Sequence, residues 1–90
     1  MGFEYDDSKN KANRQKHVID FEQAQALWDA PNRLEIPATM EDEPQWVIIG
    51  KIGNKHWSAI ITIRTGRIRL ISVRRARLEE VEWYESEKFR

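Results

Sequence analysis

The stretch WSAIITIRTGRIRLISVR, residues 57–74, decides how the chain folds. Two runs rich in β-branched residues flank Thr65-Gly66, a two-residue connector suited to a tight hairpin. Arg64 precedes the turn and Arg67 follows it, so the two should face each other across an antiparallel ladder. Like charges so placed need an anion or solvent between them. Arg67 and Arg69 share one face at i, i+2. Arg74, Arg75 and Arg77 follow where the strand gives way to a helix.

Working outward, Trp46 to Ile52 is another β-rich run, joined to the hairpin by a Gly53-Asn54-Lys55 turn. Leu34-Glu35-Ile36 alternates ahead of Pro37, and an acidic loop, Glu41-Asp42-Glu43-Pro44, lies between. Beyond the hairpin the period changes. Arg77, Val81, Tyr84 and Lys88 fall at helical spacing, as do Leu78 and Val81. Glu79 and Glu80 near the start and Lys88 near the end suit the helix dipole. At the other end, Phe3-Glu4-Tyr5 alternates as a short edge strand. Asp6, Asp7 and Ser8 can cap a helix to about Lys16, whose only clear apolar residue is Ala12. A better helix begins at Asp20. Gln23 sits at the capping-box spacing, Ile19 can staple onto Ala24, and Phe21, Ala24, Leu27 and Trp28 share a face. Asp29-Ala30-Pro31-Asn32 stops it. The order predicts an α+β fold: N-terminal helices, an antiparallel β-meander of three to four strands, and a closing C-terminal helix. Ninety residues suggest one domain over 1–90.

Composition removes several function classes. The chain has no cysteine, so disulfides and thiolate metal sites are out. His17 and His56 lie far apart and match no zinc spacing, and no metal or other cofactor is expected. No apolar run approaches the roughly 18 residues of a membrane helix. The acidic opening Met-Gly-Phe-Glu-Tyr-Asp-Asp is not a signal-peptide pattern. A cytoplasmic protein is expected.

The net charge of zero hides a division. Residues 1–43 hold 10 acids and 5 bases, residues 44–78 hold 8 bases and no acid, and residues 79–90 hold 5 acids and 2 bases. The bases of the middle stretch are Lys51, Lys55, Arg64, Arg67, Arg69, Arg74, Arg75 and Arg77. Six arginines and no lysine lie within the 14 residues 64–77. Arginine offers a planar, permanently charged fork suited to phosphate. A helix N-terminus beside guanidinium groups adds free N–H groups and a dipole. The expected partner is a polyanion or an acidic protein. The plainer reading is a solvated sheet face with charged edges.

Lys16-His17 lies at the junction of the first two helices. The histidine is either a proton carrier near neutral pH or a cap on the first helix. His56 flanks a hairpin turn and is expected to be exposed. Trp28, Trp46, Trp57 and Phe21 read as core. Of the neighbours Trp83 and Tyr84, one should pack and the other stay freer. Glu79, Glu80, Glu82, Glu85 and Glu87 read as a solvated helix face.

The sequence resembles the BrnT family of toxins from type II toxin–antitoxin systems. At the N-terminal end the resemblance rests on Phe3-Glu4-Tyr5-Asp6, then Lys9, Asn13, Lys16-His17, Ile19, Phe21-Glu22, Ala24 and Asp29-Ala30-Pro31. At the C-terminal end it rests on Arg67 through Ala76, with Glu80 and Tyr84 after it. Val18 stands where the family usually has glycine, and Val73 where it usually has alanine. The resemblance implies a RelE-like ribonuclease fold and inhibition of translation by RNA cleavage. It also implies a BrnA-like ribbon-helix-helix antitoxin in a 2:2 complex that represses its own operon, with operator DNA contacted only through the antitoxin.

Within that resemblance the economical chemistry is metal-independent. The RNA's 2′-OH attacks the adjacent phosphate while the protein positions the strand, stabilises charge and moves protons. Arg67, Arg69 and Arg74 are the candidates for phosphate stabilisation. His17 is the candidate proton carrier, with Lys16 as electrostatic support. Tyr84 is a further candidate for packing or proton transfer. Lys51, Lys55, Arg64 and Arg75 would hold the RNA backbone. The alternative is a non-catalytic module that binds nucleic acid or an acidic partner through the basic hairpin.

Overall fold

The computed structural model describes residues 2–39 and 42–88, with the side chains of Glu87 and Lys88 outside the description. Of the acidic loop, Glu41 therefore lies outside the described residues, as do the expected dipole contact of Lys88 and the solvated position of Glu87.

The chain runs β1 (Phe3–Glu4), α1 (Asp7–His17), α2 (Phe21–Ala24), a 3₁₀ helix (Gln25–Asp29), β2 (Leu34–Thr39), β3 (Gln45–Ile52), β4 (Lys55–Arg64), β5 (Arg67–Arg75) and α3 (Leu78–Lys88). Five strands form one sheet in the order β1-β5-β4-β3-β2. Strands β2 to β5 are the expected antiparallel meander, at the upper end of its strand count. The expectation of an antiparallel sheet preceded by helices needs one correction. β1 comes first in the chain and pairs parallel to β5, Phe3 with Ile68 and Glu4 with Arg69, so the sheet is mixed. Two residues of extended chain sealing an edge leave little sequence signal for their direction.

Local chemistry explains the remaining elements. Asp6 caps α1, its side chain accepting from the N–H groups of Ser8 and Lys9. Asp20 and Gln23 form a reciprocal capping box at α2. The predicted second helix is thus real, but it tightens into the 3₁₀ helix from Gln25 onward. Thr65 and Gly66 turn the β4–β5 hairpin with φ of 48° and 76°. Two positive φ values in succession match the twist of the flanking strands. β2 continues through Pro37, which an edge strand tolerates because no neighbour needs its missing N–H.

One sheet face carries the core. Trp57, Ala59 and Ile61 of β4 and Ile68, Leu70 and Val73 of β5 meet Phe21, Ala24 and Leu27 from the helical layer. Trp28 and Trp46 pack against this cluster, as their sequence reading as core residues expects. α1 joins differently. It has almost no apolar face, and asparagines hold it. The buried Asn13 carboxamide donates to the Ile19 carbonyl at 2.9 Å and accepts from the Val73 N–H at 2.9 Å. The Asn10 side chain accepts from the Phe21 N–H at 2.7 Å. Among the described residues, no helix is long and apolar enough to cross a membrane.

Candidate active site

The opposite sheet face carries the charge. The register places Arg67 opposite Arg64, Arg69 opposite Thr62, Ser72 opposite Ile60 and Arg74 opposite Ser58, all on the face away from the core. A bulge near Ile60 and Ile61 lets Ile71 stand out of register. Its effect is to keep Arg69, Ser72 and Arg74 on one face although the spacing from Arg69 to Ser72 is odd.

β1 covers the outer edge of β5 only at Ile68 and Arg69. Beyond it α1 runs alongside, and between them opens a groove of about 320 Å³ lined by Lys9, Ala12, Asn13, Lys16, His17, Ile71 and Ser72. Lys16 and His17 therefore share one recess. Ser72 joins it to the arginine face, with Arg74 two residues away, about 7 Å along the strand. Among the described residues the Lys16 and His17 side chains have no hydrogen bond or ion pair. The left-handed Val18 ends α1 with φ 61° and ψ 28°, its N–H donating to the Arg14 carbonyl, and so fixes where the helix presents His17.

The acid-free stretch borrows its counter-charges from elsewhere. Arg64 pairs with Glu43 at 2.8 Å, so the facing Arg64 and Arg67 are each answered by a separate carboxylate. Glu4 reaches both Arg67, at 3.4 Å, and Arg69, at 2.8 Å. Arg74 meets Glu80, which also accepts from the Ser58 hydroxyl at 2.9 Å and the Arg77 N–H at 2.8 Å. Two sequence expectations change here. Glu80 is not on a solvated face but buried, 5% exposed. The start of α3, expected to be a ready phosphate site, is occupied by that same carboxylate. Burial pushes the Glu80 carboxyl up, but the hydrogen bonds from Arg74, the Arg77 N–H and Ser58 outweigh it and hold its pKa at about 2. The Glu80 hydrogen bond likewise raises the pKa of Arg74, against desolvation.

The other candidates do not gather in one place. Tyr84 is buried and packs edge-on to the His56 ring with centroids 5.5 Å apart, and it is not among the residues lining the groove. Burial first, and the Glu85 charge second, push its phenol up. Trp83, its neighbour, is the freer one, 47% exposed. His56, expected to be exposed, is instead tucked under α3 with Nε2 2.9 Å from Glu85 Oε1. Lys55 and Arg64 stand at opposite ends of β4, roughly 30 Å apart along an extended strand. Arg75 points to the core face, where its guanidinium lies 5.5 Å from the centre of the Trp57 ring. Lys51 pairs with His56 in the ladder, at the same end of the sheet as Lys55. Among the described residues no three histidine, cysteine or carboxylate side chains are grouped to hold a metal ion.

Sequence reasoning missed Glu4, Ser72 and Glu80 as neighbours of the candidate residues. For Glu4 the signal was present, since alternation in Phe3-Glu4-Tyr5 sets it apart from its two aromatic neighbours. Its target depended on which strand β1 would join.

Comparison with known proteins bears on this arrangement. No curated protein sequence matches the chain. The model of the family described as the ribonuclease toxin BrnT of type II toxin–antitoxin systems matches residues 5–80, which takes in the α1 groove, the hairpin and Glu80. The chain belongs to the BrnT family of ribonuclease toxins.

Proposed function

We propose that this toxin cuts RNA at the groove between α1 and β5 without a metal ion, with the RNA's own 2′-hydroxyl as nucleophile. The observation that carries the reading is the recess itself. It brings Lys16 and His17, both free of other side-chain partners among the described residues, to the border of the arginine face.

In this reading His17 takes the 2′-OH proton as the oxygen attacks phosphorus. The P–O5′ bond breaks and the 5′-oxygen leaves as a hydroxyl with a proton from a water molecule, and the hydroxide left behind takes back the proton held by His17. The products are a 2′,3′-cyclic phosphate and a 5′-OH end. The doubly negative phosphorane between them is stabilised by guanidinium groups placed in advance. Arg67 and Arg69, with side chains 53% and 27% exposed, are assigned that task; neither lines the groove, and Arg69 lies three residues from Ser72, roughly 10 Å along β5. Arg74, 19% exposed and engaged by both Glu80 oxygens, positions β5 against α3 and supports the field. Tyr84 supports α3 by packing. Arg64 extends the binding face at the hairpin tip, and Lys51, Lys55 and Arg75 contribute long-range attraction.

RNA cutting of this kind inhibits translation. A BrnA-like ribbon-helix-helix antitoxin neutralises it in a 2:2 complex, through which operator DNA is reached. The test is induction of the gene in culture, alone and together with such an antitoxin, with total RNA followed on a gel. Growth arrest with RNA loss, relieved by the antitoxin, is expected. His17→Ala and Arg69→Ala should each abolish arrest while the protein stays folded. If both variants remain fully toxic, the site lies elsewhere.

A further inference from the structure

Glu4 has a position that the cleavage chemistry does not require. Its two carboxylate oxygens divide between two guanidinium groups, Oε1 3.4 Å from Arg67 Nε and Oε2 2.8 Å from Arg69 Nη1. Arg67 is tied down further, Nη2 donating to the Phe3 carbonyl at 3.0 Å. Its guanidinium also lies over Gly2. A Cβ at Gly2 would come within 3.2 Å of Arg67 Cζ and Nη1, so a side chain there would push the guanidinium away. The parallel pairing of Phe3 with Ile68 and Glu4 with Arg69 sets all of this in place.

A phosphodiester resembles a carboxylate in the respects that matter here. It carries one negative charge and presents two equivalent oxygens to a pair of cationic forks. We infer that Glu4 is the resident occupant of a phosphate site. Its carboxylate holds the place between Arg67 and Arg69 that an RNA backbone phosphate takes, and the toxin binds RNA by exchanging one anion for the other. The inference rests on the reading of Arg67 and Arg69 as phosphate contacts. The Glu4 side chain is 29% exposed, so its carboxylate borders solvent.

The exchange has a catalytic consequence. A monoanionic ground-state phosphate gains little by replacing a monoanionic carboxylate. The phosphorane carries twice the charge and competes better for the same arginines. Displacing the carboxylate costs the same in both states, so what accelerates the reaction is the stronger pull of the two freed arginines on the dianionic phosphorane.

The experiment measures binding of a fully 2′-O-methylated RNA oligonucleotide, which cannot be cut through its 2′-oxygen, across a salt series. Glu4→Gln keeps the size of the side chain and removes its charge. It should tighten binding about tenfold, the effect of one lost unit charge at contact distance in high dielectric. It should also steepen the slope of log affinity against log salt by about 0.7, as one more uncompensated cation predicts for single strands. Glu4→Ala should change both in the same direction. If Glu4 only holds the arginines in place, both variants bind more weakly and the slope stays fixed or falls, which overturns the inference. Arg67→Ala, assayed for cleavage of ordinary RNA, separates the two levels. Lost cleavage with unchanged Glu4→Gln binding sinks the exchange alone, whereas retained cleavage removes the arginine site itself.

Discussion

The Arg74 guanidinium and the Glu80 carboxylate meet fork to fork, Nη1 2.7 Å from Oε1 and Nη2 2.9 Å from Oε2. Two parallel charge-assisted bonds of this kind are among the stronger polar contacts a protein makes. This one joins the end of β5 to the first turn of α3, and Ser58 of β4 and the Arg77 N–H complete it. Three polar groups make four hydrogen bonds to one buried carboxylate.

Removing one partner should therefore destabilise the fold more than it disturbs RNA binding. Arg74→Ala leaves Glu80 buried without its main counter-charge, a defect worth about 3 kcal/mol or more. Urea denaturation should show that loss, with a lower midpoint and an unchanged slope. Arg67→Ala, which removes a half-exposed side chain, should leave the midpoint within about 0.5 kcal/mol of the parent. Equal stability of the two variants would mean that the buried pair does not hold α3.

The same carboxylate makes stability depend on acid. Glu80 titrates at about 2 in the folded chain against an ordinary value near 4.5. A depressed folded value means stability that is present above the ordinary pKa and is lost as pH falls through the folded one. Stability should hold above pH 4.5 and decline towards pH 2, by up to about 3 kcal/mol from this group. Urea midpoints taken across that range should fall in the parent. Glu80→Gln should show a flatter decline from a lower starting stability. Parallel curves for the two proteins would remove Glu80 as a source of acid sensitivity.

Val18 is a β-branched residue held at φ 61° with 84% of its surface exposed. The left-handed region is costly for every residue with a Cβ and most costly for branched ones. Glycine, which the family usually has there, adopts it freely. Val18→Gly should raise stability by about 1 kcal/mol, read as a melting temperature roughly 4–8 °C higher for a chain of this size. An unchanged or lower melting temperature would mean that the exposed valine contributes packing that outweighs its strain.

Asn13 replaces the apolar stripe that α1 lacks. Asn13→Ala should leave the Val73 N–H and the Ile19 carbonyl without their buried partner, at a cost of about 2 kcal/mol. Hydrogen exchange at Val73 should accelerate and the groove around His17 should loosen. Exchange that stays at the parent rate would show that another group takes over the bond.

These cases mark where the sequence was legible. The hairpin could be read because its signals are local. Alternation and a two-residue turn placed Arg64 against Arg67, and the register agrees. The capping box at Asp20 and Gln23 was equally local. The parallel partner of β1 was not, because two residues carry no directional pattern and their partner lies more than sixty positions away. Glu80 was misread for a related reason. Among closely spaced glutamates on α3, only packing against Arg74 and Ser58 decides which one is buried. The candidate site shows the same division. Lys16 and His17 were visible as a local pair, and Arg67 and Arg69 as a strand face. The division of the remaining basic residues between two faces and two ends of the sheet depends on tertiary register. So does the supply of acids from Glu4, Glu43 and Glu80.

The central claim is that His17 and the arginine face cut RNA through its own 2′-oxygen without metal. The most direct measurement follows a short RNA in excess chelator, alongside the same oligonucleotide carrying single 2′-deoxy substitutions. The account predicts cutting by the parent, 2′,3′-cyclic phosphate and 5′-OH ends, no cutting at a 2′-deoxy position, and none by His17→Ala. Cutting that needs added metal, that proceeds at the deoxy position, or that survives unchanged in His17→Ala would contradict it.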